Sequence, residues 1–233
     1  MKQHIPNLIT LSNLFCGCCA IVLILQQRFI EGAYFIAGGA VADYLDGTIA
    51  RLLGAKSELG KQLDSLADVV TFGVVQGIII YTLLSLSPNV NAYLNIAALP
   101  AFLLPMAAAF RLGRFNIDIR QTEDFIGLNT PATTIFMVGL MLTYHYDSYG
   151  LRSFITQPWL LYSIVVAFSF FMNMELPMFG FKFKHLRWRS NEYRLLFLIL
   201  ALISLLILGT FGLCVAIMLY LVLSMLYNTR KSA

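Results

Sequence analysis

Long runs of apolar side chains, separated by short polar connections, extend along the whole sequence. A helix that crosses a bilayer needs about 20 predominantly apolar residues. Runs of that kind cover residues 5–27, 31–54, 60–86, 91–113, 129–147, 157–174, 193–209 and 211–227. The pattern predicts an all-α, polytopic membrane helical bundle with about eight transmembrane helices. The first run is long and no small-residue cleavage site follows it, so we do not expect a signal peptide.

Lysine and arginine residues lie almost entirely in alternate connections between these runs. With a cytoplasmic N-terminus, 14 of the 16 fall on the cytoplasmic face, and only Arg28 and Arg152 fall opposite. Because short cytoplasmic loops are enriched in these residues, both termini are predicted to be cytoplasmic. The net charge of +4 then reflects topology and contact with anionic lipid. It gives no reason to expect nucleic-acid binding.

The composition supports a membrane protein. Hydrophobic residues make up 59% of the chain and charged residues 12%, whereas a soluble domain has about 25% charged residues. Three of the four cysteines, Cys16, Cys18 and Cys19, lie in the first apolar run, and Cys214 lies in the last. Their spacing is not that of a metal site, so we interpret them as small residues for helix packing.

One segment departs from the apolar pattern, DYLDGTIARLLGAKSELGKQLDSLAD at 43–68. Asp43 and Asp46 are three residues apart and Asp64 and Asp68 are four apart, so each pair projects from one face of its helix. The glycine-containing connection between the pairs allows one helix to end and the next to begin. The two helices are therefore predicted to be antiparallel neighbours, with all four carboxylates at one depth.

Four carboxylates this close together point to bound divalent cations. Ionised carboxylates would repel one another and lose hydration in apolar surroundings. Oxygen-only ligands suit Mg²⁺, Mn²⁺ or Ca²⁺. Four carboxylates are enough for two ions about 3.5–4 Å apart, which could clamp a pyrophosphate.

Small residues beside the aspartates favour a closely approaching ligand. Gly47 and Gly60 leave bare backbone next to the acids, and Ala50 continues the face of the first pair. Arg51 can reach a phosphate with its planar guanidinium group.

Two other interpretations of the aspartates are open at this point. They could be helix-end charges paired with Arg51, Lys56 and Lys61, although four acids exceed what three cations need. They could also mark an ion-coupled transporter, because intramembrane carboxylates occur there too. However, the acids are expected at one depth in the membrane, whereas an ion pathway needs acids at successive depths across the bilayer.

The segment resembles the signature of a known family. Its matching positions are Asp43, Asp46, Gly47, Ala50, Arg51, Gly60, Asp64 and Asp68. They follow D-x-x-D-G-x-x-A-R, eight spacers, G-x-x-x-D-x-x-x-D, and on this resemblance the sequence is identified as a member of the CDP-alcohol phosphotransferase family.

The resemblance implies roles for these residues. The four aspartates would bind two divalent metals that hold the diphosphate of a CDP-linked donor, and Asp68 would also be the general base. Gly47, Thr48, Ala50, Arg51 and Gly60 would bind the donor. The family architecture implies a six-helix core, here about 5–175, usually in a homodimer. A basic cytoplasmic loop at 176–193 and a C-terminal helical hairpin at 194–227 would complete one membrane domain over 1–233.

Other stretches resemble the branch of the family that uses serine. They are IPNLITLSN (5–13), TFGV (71–74), RFN (114–116), FIGLNTPA (125–132) and PMFGFKFK (177–184). In the first, Asn13 is the branch-specific residue and is assigned to the donor site. In the fourth, Asn129 stands where the branch has proline.

A serine carboxylate needs a cation or an amide donor. Arg111, Arg114 and Asn116 cluster at one helix end and are assigned to serine binding together with Thr71, although the arginines could equally be membrane anchors. The implied reaction transfers the phosphatidyl group of CDP-diacylglycerol to L-serine at the cytoplasmic face of a prokaryotic inner membrane. Glycerol 3-phosphate and inositol phosphate remain alternative acceptors.

Overall fold

The computed structural model describes residues 4–55, 57–86, 95–117, 125–180 and 192–232. Each of the eight predicted apolar runs contains a long helix. The α-helices are α1 His4–Leu25, α2 Phe29–Leu52, α3 Glu58–Asp68, α4 Val75–Ser85, α5 Leu103–Ile117, α6 Thr130–Tyr146, α7 Arg152–Ile155, α8 Pro158–Asn173, α9 Glu192–Leu208 and α10 Phe211–Ser232. A π-helical turn, Val69–Val74, joins α3 to α4, and 3₁₀ segments at Ile96–Phe102 and Ser148–Gly150 precede α5 and α7.

Two short strands were not predicted. β1, Phe125–Ile126, pairs antiparallel with β2, Pro177–Met178, and Phe125 lies opposite Met178. This ladder ties the segment before α6 to the segment after α8. Part of the basic loop predicted at 176–193, residues 181–191 with Lys182, Lys184, Arg187 and Arg189, lies outside the described residues, as do Lys56 and Arg120.

Within the described residues, four helical stretches are long and apolar enough to cross a membrane: His4–Leu25, Glu58–Ser85, Ile96–Ile117 and Phe211–Asn228. They confirm a polytopic helical membrane protein. α2 has 24 residues but carries carboxylates, and α6, α8 and α9 have 16 or 17 residues. That these four also cross the bilayer stays a prediction.

Local sequence explains where helices near the acids begin and end. Gly54 follows α2 with φ of +59°, a conformation that glycine adopts at no steric cost. Ser57 caps α3 by accepting the Gly60 amide, and Asn129 caps α6 by accepting the Ala132 amide at 2.9 Å. Asn129 therefore supplies a helix cap at the position where the serine-using branch has proline.

α1 packs against both acidic helices, whereas α2 and α3 have few backbone contacts with each other. α2 and α3 are neighbours through their side chains and not through close backbone packing. Close packing is possible because glycines surround Thr71 of the π turn. A Cβ at Gly17 would lie 2.4 Å from Thr71 Oγ1, and one at Gly39 would lie 2.8 Å from Thr71 Cγ2. Small residues allow membrane helices to approach in this way.

α4 is the central helix of the bundle, and α10 covers α6. Val75, Ile79, Ile80 and Leu83 of α4 are fully buried against the helices around it. The C-terminal hairpin packs through Gly139 of α6, where an added Cβ would lie 2.7 Å from Leu213 Cβ. The π turn and α4 thus fix α3, and with it two aspartates, to the core.

Candidate metal centre

Three of the four aspartates converge. Asp43 of α2 and Asp64 and Asp68 of α3 each place a carboxylate oxygen within 4.8 Å of the other two. All three side chains are partly buried. The two helices therefore contribute acids to one cluster even though their backbones stand apart.

Asp46 faces the same region but has a partner on α1. It is 4% exposed, and its Oδ2 accepts a hydrogen bond from Thr10 Oγ1 at 2.5 Å. Thr10 was not predicted as a site residue. Thr10 and Asn13 are three residues apart and share a face of α1, which is the signal that could have identified it.

Asn13 and Thr71 lie behind the acids. Asn13 Nδ2 donates to Asp68 Oδ1 at 3.4 Å, and Thr71 Oγ1 donates to the Asn13 carbonyl at 3.1 Å. Both residues are fully buried, because α1 packs directly on the π turn. The structure thus places Asn13 beside Asp68 and Thr71 in a contact between α1 and the π turn; their assignment to donor and serine binding stays a prediction.

Among the described residues, no lysine or arginine forms an ion pair with the four aspartates; the ion pairs there are Arg28–Glu31 and Arg114–Glu175. Arg51 donates to Thr48 Oγ1 at 3.2 Å, and Lys61 donates to the Asn116 carbonyl at 3.0 Å. The interpretation of the acids as partners of Arg51 and Lys61 is therefore wrong in the described part of the chain.

The cluster fits a divalent cation. Carboxylate oxygens bind Mg²⁺ at about 2.0–2.1 Å and Ca²⁺ at about 2.3–2.6 Å, so oxygens within 4.8 Å of one another can share one ion. Clustered carboxylates that form no ion pair with a described lysine or arginine also carry repulsion that a bound cation would remove. The donor set of oxygens alone suits hard metals and does not suit zinc.

Residues assigned to the donor differ in their surroundings. Gly47 is exposed, and a Cβ added there would meet nothing within 4 Å. Arg51 is exposed and Ala50 half-buried. Gly60 is more closely surrounded, because an added Cβ would lie 3.1 Å from Asn7 Oδ1 and from Ser57 Oγ. Open space therefore lies on the Gly47 side of the acids.

The residues assigned to serine binding lie near the C-terminal end of α5 in three environments. Arg111 is 7% exposed, and among the described residues its buried Nε has no hydrogen-bond partner. Arg114 pairs with Glu175 at 2.8 Å. Asn116 Nδ2 donates to Ser65 Oγ of α3 at 2.7 Å. Of the three, Arg111 is the one with a buried donor that stays unpaired in the described part of the chain.

Arg111 and Arg114 also border a small cavity of about 20 Å³ between α5 and the end of α8. A space of that size holds about one water molecule. Asn173, on its wall, leaves its buried Oδ1 without a partner. Asn173 and Glu175 were not predicted as site residues, because they are far from α5 in the sequence and nothing in the sequence indicates the contact.

Comparison with known proteins places the chain among transferases. Residues 3–177 match the model of the family described as CDP-alcohol phosphatidyltransferase. The chain is 35% identical over 143 residues to a CDP-diacylglycerol–serine O-phosphatidyltransferase of Bacillus subtilis, a match that covers 61% of this chain and 78% of that protein.

Two further relatives carry the same name. The chain is 27% identical over 241 residues to the protein of Helicobacter pylori strain 26695, covering 98% of this chain and 96% of the relative. It is 33% identical over 135 residues to that of Methanocaldococcus jannaschii, covering 58% of this chain and 59% of the relative. All four aspartates lie within the family match.

Proposed function

The chain belongs to the CDP-alcohol phosphatidyltransferase family, and we propose that it transfers the phosphatidyl group of CDP-diacylglycerol to the hydroxyl of L-serine, giving phosphatidylserine and CMP. The observation that carries the proposal is the convergence of Asp43, Asp64 and Asp68 at the signature positions. The relatives, all named for transfer to serine, support serine as the acceptor.

We assign Asp43, Asp46, Asp64 and Asp68 as ligands of two divalent cations, Mg²⁺ or Mn²⁺. When bound, the cations would neutralise charge on the diphosphate and on the leaving CMP. Asp46 keeps one carboxylate oxygen engaged with Thr10. That contact fixes the orientation of the carboxylate, as outer partners of metal ligands commonly do.

Asp68 is the proposed general base. It accepts the serine hydroxyl proton while the serine oxygen forms a bond to the phosphorus that carries diacylglycerol. The bond between that phosphorus and the CMP oxygen breaks. The Asn13 amide holds Asp68 from behind, so the carboxylate meets its substrate from one side.

Substrates approach from the exposed side of the acids. Gly47 offers open backbone, and Thr48 and Arg51, which contact each other, are placed to bind phosphate or ribose of the donor. Ala50 and Gly60 keep the helix faces narrow. Arg111 is the preferred cation for the serine carboxylate, because its buried Nε has no partner; Arg114 and Asn116 hold α5 against neighbouring segments.

The reaction is proposed to occur at the cytoplasmic face of a prokaryotic inner membrane, in a homodimer with both termini inside. The basis for orientation is the placement of lysine and arginine along the sequence. The acyl chains of the donor would stay in the bilayer while its cytidine diphosphate reaches the acids.

The test is a transfer assay with purified protein, CDP-diacylglycerol, Mg²⁺ or Mn²⁺ and radiolabelled serine. Labelled lipid and stoichiometric CMP are expected, and a chelator should abolish both. Parallel reactions contain glycerol 3-phosphate or inositol phosphate in place of serine. Product with one of those alone would refute the choice of acceptor, and full activity in chelator would refute the metal assignment.

A further inference from the structure

An apolar groove of about 590 Å³ lies between α6, α8 and α10, apart from the acids. Ligand pockets in proteins commonly measure about 300–1,000 Å³. Its rim includes Phe154, Met218 and Val222, which are 48%, 45% and 51% exposed. Because α10 lies beyond the family match at 3–177, one wall of the groove comes from the C-terminal hairpin.

The groove presents no free polar side chain. Its two polar lining residues, Ser163 and Cys214, already donate to the carbonyls of Trp159 and Phe136 at 2.8 and 3.4 Å. The other lining residues are aliphatic, aromatic or methionine. In a membrane, such a surface is complementary to hydrocarbon and has nothing to offer a headgroup or a polar solute.

The length of the groove matches one leaflet. Its lining runs from Leu160 to Phe171 on α8 and from Phe211 to Val222 on α10, eleven residue steps on each helix. At 1.5 Å per residue this is about 17 Å. One leaflet provides half of the hydrocarbon core of about 30 Å, or roughly 15 Å.

A helix of a second copy fits the groove poorly. With its side chains a helix is about 10–12 Å wide, and membrane helix interfaces favour small residues that allow backbones to approach. Here the walls carry mainly phenylalanine, leucine and isoleucine, and the small residues are Ser163, Ala167 and Cys214. An unbranched hydrocarbon chain is narrower and follows such a surface.

We propose that the groove binds one acyl chain of a bilayer phospholipid other than the CDP-linked donor. Its lining includes none of the residues assigned to the donor. Thr134, in the first turns of α6, donates to the carbonyl of Phe72, one turn past Asp68. The lining then starts at Phe136 and continues to Leu151 and Phe154 beyond the far end of α6, so the groove extends away from the acids.

The experiment uses the full chain in nanodiscs that contain phosphatidylcholine with a photoreactive diazirine on one acyl chain. After irradiation, labelled positions are mapped by mass spectrometry. Groove residues such as Met218 should be labelled severalfold more than Leu206, which is more exposed at 77% on α9. Equal labelling of Met218 and Leu206 would overturn the proposal, and this comparison needs no variant.

A matched pair of variants tests the site itself. Ala167→Phe fills the groove, whereas Val166→Phe adds the same ring at a neighbouring position that is 64% exposed and outside the lining. Labelling of Met218 should fall severalfold in A167F and stay unchanged in V166F. Unchanged labelling in a folded A167F would overturn the proposal. Loss of labelling when trace CDP-diacylglycerol is added would assign the groove to the donor. Cross-links between two copies would assign the groove to a partner protomer. Either result would overturn the proposal.

Discussion

At the scale of single residues, the four aspartates differ in the side chains that donate hydrogen bonds to them. Thr10 holds Asp46 and Asn13 holds Asp68, both from α1. Within the described part of the chain, no α1 side chain donates to Asp43 or Asp64, which lie against each other and Asp68. One helix without a carboxylate of its own therefore orients acids on two others through its polar residues.

Replacing Thr10 with Val removes the hydroxyl that binds Asp46 while preserving side-chain volume. Loss of an outer partner of a metal ligand costs about 10- to 100-fold in metal affinity or activity. We expect the Mg²⁺ concentration for half-maximal activity to rise by about that factor. Thr10→Ser, which keeps the hydroxyl, is the control and should restore the normal Mg²⁺ dependence; an unchanged dependence in T10V would refute the role of Thr10.

Replacing Asp68 with Asn removes the proposed base. General base catalysis contributes about 10²- to 10⁴-fold, so the turnover of Asp68→Asn should fall by at least that much, measured as CMP release. Donor binding, measured with labelled CDP-diacylglycerol, should stay largely intact. Glu31→Gln, which alters an exposed acid at the opposite end of α2, should behave as the unmodified chain. Weakened binding with normal residual turnover would contradict the assignment.

At the scale of elements, the glycines around Thr71 determine how α1 and α2 meet the π turn. A Cβ at Gly39 would lie 2.8 Å from Thr71 Cγ2 and 3.0 Å from Asn13 Oδ1. At the adjacent Gly38 the nearest atom would be Cys16 Sγ at 3.7 Å, an ordinary contact. Two neighbouring glycines therefore have different tolerance for a methyl group.

Gly39→Ala should destabilise the protein by about 1–3 kcal/mol, the usual cost of overpacking, whereas Gly38→Ala should be nearly neutral. The measurement is thermal unfolding in detergent. Thr71→Ser removes Cγ2 and keeps the hydroxyl, so adding it to G39A should recover part of the loss. Equal melting temperatures for G38A and G39A would contradict this description of the packing.

The sequence predicted the positions of the helices better than it predicted which helices pack against each other. Apolar runs marked all eight long helices, because length and hydropathy are local properties. The location of α1 against both acidic helices depends on Gly17, Gly39 and Thr71, which are far apart in sequence. The burial of Asn13 follows from the same packing. Strands of two residues, such as β1 and β2, have no periodicity to detect.

At the scale of the whole molecule, the chain divides between the family match at 3–177 and the hairpin of α9 and α10. The carboxylates were predicted as a cluster because their spacing on two helices is fixed. The partners of Arg114 could not be predicted, because Asn173 and Glu175 approach it only through the packing of α8 on α5. Orientation in the membrane is still a prediction from charge.

Reporter fusions test that orientation. A reporter that is active only in the cytoplasm should work when fused to either terminus, and it should fail when fused after Gln27 in a truncated chain. The physical reason is the retention of lysine and arginine on the cytoplasmic side. Opposite activity at the two termini would imply an odd number of crossings and refute the eight-helix topology.

The π turn after Asp68 is equivalent to an insertion in a helix that is otherwise continuous from Glu58 to Ser85. In a π turn the amide bonds to the carbonyl five residues earlier, so the turn holds one residue more than an α-helical turn. Deleting one residue from Val69–Val74 would therefore restore a regular α-helix and leave Asp64 and Asp68 on about the same face relative to α4. The widened turn, in which Thr71 donates to the Asn13 carbonyl, would be lost although every acid was still present. The extra residue thus serves the contact of α1 with the turn, while the direction of the acids does not depend on it.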